Sequence, residues 1–147
     1  MKIFLLMVLN LFVSVVLSAQ KTDIENKQAL IDLIDQYSLA REKQDTILLK
    51  NILTSDVDQL VSTGEWRNGI GSAIQGMLRS YASNAGSRKL LVDKVRVINS
   101  QSAIVDARYE IQNPNGTIRK MWSTFITVYV EGRWKISAIR NMLPAQP

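Results

Sequence analysis

The hydrophobic periodicity of this chain changes once along its length, and this change limits the folds available to it. Apolar residues recur at helical spacing in the first half, and from Ser87 onward they alternate with polar residues. The pattern predicts helices first and an antiparallel meander of strands afterwards. This order is typical of an α+β domain in which a strongly curved antiparallel sheet wraps around N-terminal helices.

The boundaries of these elements follow from caps and turn residues. Thr22-Asp23-Ile24-Glu25 has the spacing of a capping box, which would start the first helix. The elements predicted for the first half are a helix over 23–43, a helix over 46–53, a break at 54–56, a strand over 57–63, a loop marked by Asn68-Gly69 and Gly71, and a helix capped by Ser72. The strands predicted for the second half are 90–98, 103–112, 118–130 and 133–142, with hairpin turns at Asn115-Gly116 and Glu131-Gly132.

The first residues have the order of a secretory signal peptide. Lys2 supplies a positive charge, an apolar run follows, and small residues come next. The run is shorter than the roughly 20 residues that span a bilayer as a helix. We therefore expect a signal peptide over 1–19 and a single domain over 20–147, exported to the periplasm or the extracellular space, with no stable membrane anchor after cleavage. An uncleaved anchor is the alternative.

The residue types that are missing exclude several kinds of chemistry. The chain has no Cys and no His, so it has no disulfide, no Ser-His-Asp or Cys-His catalysis, and no ordinary zinc ligands. We predict neither a metal nor a cofactor. The net charge of +5 is modest and its basic residues are scattered, so we expect no nucleic-acid partner.

Short motifs at both ends of the predicted domain resemble those of a known superfamily. The motifs of the front half are Tyr37-x-x-Ala40, Asp45, Leu53-Thr54-x-Asp56, Gly64 and Trp66-Arg67-x-Gly69. They resemble the nuclear transport factor 2-like superfamily, which includes SnoaL-like cyclases and ketosteroid isomerases. Glu131-Gly132-Arg133-Trp134-Lys135-Ile136 resembles the closing hairpin of its small-domain branch. The resemblance implies the cone-shaped fold and favours a homodimer.

The resemblance carries over few catalytic residues. Tyr37 falls where the isomerases place a phenol that polarises the substrate carbonyl. Their general base would fall near Val61 or Ser62, and neither can take a proton from carbon at neutral pH. Arg140-Asn141 stands where the small-domain branch often has a His-Asn pair, and an arginine can hold an anion but cannot shuttle protons. The catalytic candidates are therefore only Tyr37 and Asp58.

Strand alternation adds candidates for ligand binding. It places Trp134, Ile136, Ala138, Arg140 and Met142 on one face of the last strand, so Arg140 is expected to point with the core residues. A charge there needs a ligand or a partner such as Asp58. The candidate ligand-binding residues are Tyr37, Trp66, Tyr109, Trp122, Arg140 and Asn141. Packing in the core is the alternative for Tyr37 and Trp66, and packing in the core or a dimer is the alternative for Trp122.

Three functions are compatible with these residues. The first is an exported domain that binds a small, partly hydrophobic molecule in its cone, with Arg140 or Tyr37 making polar contacts. The second is an isomerase, cyclase or dehydratase-like enzyme that uses Asp58 with Tyr37. The third is a dimeric interaction module, which predicts a filled cone and an exposed apolar patch on the sheet.

Overall fold

The structure is a computed structural model that describes residues 24–83 and 86–144. The described helices are α1 over residues 24–43, α2 over Thr46–Ile52 and α3 over Gly69–Ser83. The predicted signal peptide and capping-box residues Thr22 and Asp23 lie outside the described residues. Among the described residues, no helix has the length and apolar character needed to cross a membrane.

Six strands form one curved sheet beside the helices. The strands are β1 Leu53–Leu60, β2 Trp66–Asn68, β3 Ser87–Asn99, β4 Ser102–Gln112, β5 Ile118–Val130 and β6 Arg133–Met142. Their order is β2-β1-β6-β5-β4-β3. The β1–β6 pair is parallel and the other four pairs are antiparallel. The α+β fold class is confirmed, with one parallel pair inside the sheet.

The turns follow the residues that favour them. Gln44 has a positive φ of 55° after α1, and the Asp45 carboxylate accepts hydrogen bonds from the Ile47 and Leu48 amides at 3.0 and 2.9 Å. Asp45 therefore caps α2. Glu131 and Gly132 have φ values of 55° and 75°, as a two-residue hairpin turn requires, so this predicted turn is confirmed.

The core lies between α1, α3 and one face of the sheet, which we call the inner face. Leu30, Ile34 and Tyr37 from α1 are buried with inner-face residues such as Val105 and Phe125. The buried positions of α1 recur at helical spacing, and the buried positions of the strands alternate with more exposed ones. The core is therefore built from the two periodic patterns that the sequence shows. The space between the helices and the inner face is the cone.

A β-bulge in β6 reverses the predicted orientation of its second half. Ile126 pairs with Ala138, but the next residue of β5, Thr127, pairs with Ile136, so Ser137 is an extra residue. Beyond the bulge, Ile139 is buried on the inner face and Arg140 points to the outer face. The prediction that Arg140 shares a face with Trp134 and Ile136 is therefore wrong, since it assumed unbroken alternation.

The first half of the sheet also differs from the prediction. β1 begins at Leu53, so the predicted break at 54–56 belongs to the strand, and the β1–β6 register shifts between Leu53 and Asp58. This shift in register allows the polar residues at 54–56 to lie within the paired strand. β2 and the start of α3 replace the predicted loop at 66–71, because β2 pairs with the end of β1.

Arg67 connects β2 to α3 by close packing. Its side chain is buried, and a Cβ added to Gly76 of α3 would overlap the guanidinium. Glu65 accepts hydrogen bonds from Arg67 Nε and Nη2 at 3.1 and 3.4 Å. The missing side chain at Gly76 thus creates the space that this buried cation occupies.

We expect Gly76→Ala to bring no net stabilisation, although glycine-to-alanine exchange within a helix contributes about 1 kcal/mol. The added methyl group displaces the Arg67 guanidinium and offsets that gain. Gly71→Ala is the matched control in α3, because nothing lies within 4 Å of a Cβ there. Urea unfolding should show that only Gly71→Ala raises the free energy of unfolding. Equal stabilisation by both variants would contradict the packing of Arg67 on Gly76.

Asp58 and Arg140 form an ion pair between β1 and β6, with Nη1–Oδ1 and Nη2–Oδ2 distances of 2.7 and 3.2 Å. Because the pair is bidentate and partly shielded, we expect a coupling free energy of about 0.5–1 kcal/mol. A double-mutant cycle of Asp58→Asn and Arg140→Met, followed by urea unfolding, measures it. Additive effects of the two substitutions would show that the pair contributes nothing.

Candidate functional site

Three of the predicted ligand-binding residues lie on the outer face of the sheet. Arg140 pairs with Asp58, and its guanidinium lies over the Trp66 ring, 4.8 Å from the centroid. Trp122 is partly exposed on the same face of the sheet. Asp58, the predicted partner of Arg140, is thus confirmed in that structural role. All four residues lie on the outer face of the sheet, which separates them from the cone.

Tyr37 lies inside the core, one helical turn before Arg41. Its ring meets Phe125 edge-on, with centroids 5.3 Å apart, and its hydroxyl accepts a hydrogen bond from Arg41 Nη1 at 3.2 Å. The structure therefore separates the two catalytic candidates, because Tyr37 faces the cone and Asp58 faces outward. No arrangement of the two around one substrate follows from this geometry.

A small cavity of about 70 Å³ opens where α1, α3 and five of the strands, β1, β2, β4, β5 and β6, meet. We call it the arginine cavity. Its lining residues are Arg41, Gln59, Val61, Ser62, Thr63, Arg67, Ser80, Tyr109, Ile111, Arg119, Met121 and Asn141. Three of them are arginines and none is a carboxylate. Because a water needs roughly 10–15 Å³ of such volume, the cavity has room for about five to seven water-sized groups.

Arg41 is one of two buried cations that line this cavity, and Arg67 is the other. Only 8% of the residue is exposed, and no described carboxylate lies within ion-pair distance of it. Burial alone lowers the pKa of a guanidinium, but the phenols of Tyr37 and Tyr109 raise the pKa of Arg41 above its ordinary value. The guanidinium therefore stays charged at neutral pH. Its Nε–H has no hydrogen-bond acceptor among the described residues.

Polar side chains around Arg41 also have unused hydrogen-bonding capacity. The Tyr109 hydroxyl is buried and makes no hydrogen bond of 3.5 Å or less with the described residues, although it lies near enough to Arg41 to raise the pKa of that guanidinium. Asn141 Oδ1 accepts a hydrogen bond from Ser123 Oγ at 2.8 Å, which leaves the amide group as a donor. Gln59 is buried beside them and lines the same cavity. The cavity thus presents an excess of donors.

Arg67 is held at the cavity wall by a shared carboxylate. Glu65 binds Arg67 and also accepts a hydrogen bond from Arg79 Nη2 at 3.2 Å. The hydrogen bond and charge of Arg67, together with Arg79, keep the pKa of Glu65 below its ordinary value. One carboxylate therefore serves two cations, and this group retains a net positive charge at neutral pH.

Arg119 is the third arginine of the cavity. Its Nη2 donates to Ser62 Oγ at 2.8 Å, and it makes no ion pair within residues 24–83 and 86–144. Arg119 pairs across the sheet with Ile111, and Met121 pairs with Tyr109, so all four lie on the inner face. Arg119 is exposed, at the open end of the cavity.

A larger groove of about 630 Å³ lies between the first half of α1, α2 and the β5–β6 hairpin. Leu33, Ile52 and Trp134 line it, together with exposed polar residues of α1. The Trp134 indole N–H is buried without an acceptor among the described residues, but no charged group is buried there. Within the described residues, no group of acidic side chains could hold a metal ion.

The sequence identified some residues of the arginine cavity and missed others. Tyr109 and Asn141, both predicted to bind a ligand, line the cavity, but their role stays a prediction. Arg41 was missed, although it follows Tyr37 by four residues and so continues the apolar face of α1. Arg119 alternates with Met121 and could have been found in the same way. Arg67 was predicted only as a residue that could cover the pocket from a loop, and the structure places it in β2 instead.

No protein-family model matches this chain, and no curated protein does. Solved structures do match. An NTF2-like protein with a cystatin-like fold from Novosphingobium aromaticivorans has a TM-score of 0.75 at 14% identity, over 89% of this chain and 90% of that one. A cystatin-like domain of unknown function from Nostoc punctiforme has a TM-score of 0.73 at 17% identity, over 82% and 78%.

An NTF2-like protein of unknown function from Shewanella oneidensis has a TM-score of 0.69 at 15% identity. It matches over 80% of this chain and 98% of its own. At such identities a likeness establishes the fold alone. The predicted superfamily resemblance is confirmed at this level: the chain has the nuclear transport factor 2-like, or cystatin-like, α+β fold.

Proposed function

We propose that this protein binds a small, partly apolar molecule through an anionic group of that molecule, in the arginine cavity. The observation that carries the proposal is the buried charge of Arg41, for which the described residues provide no carboxylate. An anionic ligand would supply the missing counter-charge. In this proposal Arg41 holds the anionic group, whereas the sequence predicts Arg140 as a polar contact for the ligand.

The neighbours of Arg41 compensate its charge only in part. Burying an unpaired ion costs several kcal/mol. The C-terminal end of α1 offsets about 0.3–2 kcal/mol of this cost. The Tyr37 and Tyr109 rings lie 5.7 and 5.8 Å from the guanidinium carbon, near the 6 Å limit of cation–π attraction. A carboxylate or similar anion, bound by Arg41 Nε–H, would supply the stronger, charge-assisted contact.

The remaining walls of the cavity also suit such a ligand. Tyr109, Asn141 and Gln59 provide polar groups, and Val61, Ile111 and Met121 provide apolar contacts. Anions accept hydrogen bonds and do not donate them, so they match a wall that carries mainly donors. Because the cavity is small, we expect a ligand of low molecular mass, or one that extends outward from the cavity.

The geometry favours binding over proton transfer. A general base must lie within hydrogen-bond reach of the proton it removes. No carboxylate of the described residues lines the arginine cavity, and Asp58 is engaged with Arg140 on the other face of the sheet. The enzyme hypothesis based on Tyr37 and Asp58 therefore receives no support from their positions.

Arg41→Met is expected to abolish anion binding while leaving the ligand-free protein as stable or more stable. Replacing a buried charge by an apolar side chain of similar length is neutral or stabilising by about 1–4 kcal/mol. Thermal unfolding of the purified protein should show a higher melting temperature with butyrate or benzoate, and no such increase for Arg41→Met. The ligand-dependent increase grows with the ratio of ligand concentration to Kd.

Two variants serve as controls for this experiment. Arg96→Met removes an exposed arginine of β3, and Arg140→Met removes the arginine of the outer face. Both should retain the increase in melting temperature that the anion produces. Loss of that increase in Arg140→Met but not in Arg41→Met would sink the proposal in favour of the residue that the sequence predicted.

As a second candidate, we propose that two copies of the chain associate through the outer face of the sheet. Two apolar rows cross this face, Ile104–Ile126–Ala138 and Trp122–Met142, with the polar row Asp106–Thr124–Arg140 between them. Trp122 and Met142 are 38% and 48% exposed. A two-fold axis would bring these rows against their own copies, which favours the predicted homodimer.

Trp122→Lys is expected to weaken this association by at least about tenfold, because it places a charge in an apolar contact. Sedimentation equilibrium should find a dimer for the native chain and a monomer for Trp122→Lys. Ile47→Lys is the matched control, since Ile47 is an exposed apolar residue of α2, away from the sheet. A native chain that stays monomeric at high concentration would exclude the homodimer.

A further inference from the structure

We infer that the ligand of the arginine cavity is a short dicarboxylate, with one carboxylate at Arg41 and the other at Arg119. This inference rests on the proposed function and specifies its chemical class. It follows from the number of cations that surround the cavity, from their positions at two separate ends, and from the apolar residues that line it.

The charges around the cavity exceed what one anionic group can balance. Arg41, Arg67 and Arg119 line it, and Arg79 stands behind Arg67. Against these four cations, the described residues offer the single carboxylate of Glu65, which is already shared between Arg67 and Arg79. A monoanion at Arg41 leaves Arg119 without a counter-charge, whereas a dianion compensates both.

The two cations that lack carboxylates lie at different depths. Arg41 is buried beside Tyr109, and Tyr109 pairs with Met121 across the sheet. Arg119 is two residues before Met121 on the same face, so its backbone lies about 7 Å farther along β5. A single-centre dianion such as sulfate holds both charges on one group, whereas two carboxylates joined by a short chain separate them.

Three of the lining residues, Val61, Ile111 and Met121, give the cavity an apolar part. Ile111 and Met121 are buried on the inner face, and Val61 lines the cavity opposite α1. Methylene groups can pack there without leaving a polar atom unpaired. At each end the ligand meets donors: Arg41, Tyr109 and Asn141 at the inner end, and Arg119 beside Ser62 at the outer end. Planar guanidinium groups suit planar carboxylates in particular.

Titration calorimetry with the purified protein tests the inference directly. The probes are succinate, glutarate, butyrate and sulfate, compared at constant ionic strength because exposed charges are screened by salt. We expect succinate or glutarate to bind at least about tenfold more tightly than butyrate, since the second carboxylate gains a charge-assisted contact. Sulfate should bind more weakly than both dicarboxylates.

Variants assign the second contact to a residue. Arg119→Met should reduce the preference for succinate over butyrate to nearly one, whereas Arg96→Met, which removes an exposed arginine far from the cavity lining, should keep it. Arg119 is exposed at the start of β5, so its substitution leaves the core intact. A preference that survives Arg119→Met would overturn the assignment.

The possible outcomes separate this inference from the proposed function. If butyrate or sulfate binds as tightly as the dicarboxylates, the dicarboxylate inference fails and anion binding stands. If none of the four probes binds the native protein or raises its melting temperature, both fail. A preference for dicarboxylates that depends on Arg119 and Arg41 supports both.

Discussion

The packing of α1 against the inner face of the sheet is the contact on which the remaining structure depends. Ile34 and Phe125 are fully enclosed in this contact, and Tyr37 meets Phe125 edge-on. α1 ends at residue 43, so Arg41 lies in its last turn. The arginine cavity lies at that end. Its position is therefore a consequence of where the helix stops.

The face of α1 that packs in the core also carries the buried charge of Arg41. The apolar stripe of α1 runs through Leu30, Ile34 and Tyr37 at intervals of three or four residues. The next position at this spacing is Arg41, so a cation stands where an apolar residue would continue the stripe. A chain selected for stability alone would favour an apolar residue there, since burying a charge costs several kcal/mol. Conflict between local burial and charge is typical of functional sites.

Much of this architecture could be predicted from sequence, because each element carries its own periodicity and its own cap. The four long strands and the hairpin turn at Gly132 follow from residue types that act locally. The bulge at Ser137 does not. No residue there signals an extra position, and its effect arises from pairing with β5. Because of this one added residue, Asn141 lies on the inner face and Arg140 does not. The residues that line the site therefore differ from those that the sequence predicted.

Arg140 and Arg41 show why burial alone does not identify a binding residue. Arg140 points to the outer side of β6, and Arg41 lies on its inner side. Arg140 is partly buried, but Asp58 balances its charge and Trp66 covers its guanidinium, so nothing further is required of it. Arg41 is more deeply buried and has tyrosines where Arg140 has a carboxylate. A tyrosine hydroxyl gives Arg41 a hydrogen bond but not the charge of a carboxylate. Arg140 has a carboxylate partner and Arg41 has none among the described residues, and this difference is the ground on which Arg41 rather than Arg140 is proposed to hold a ligand.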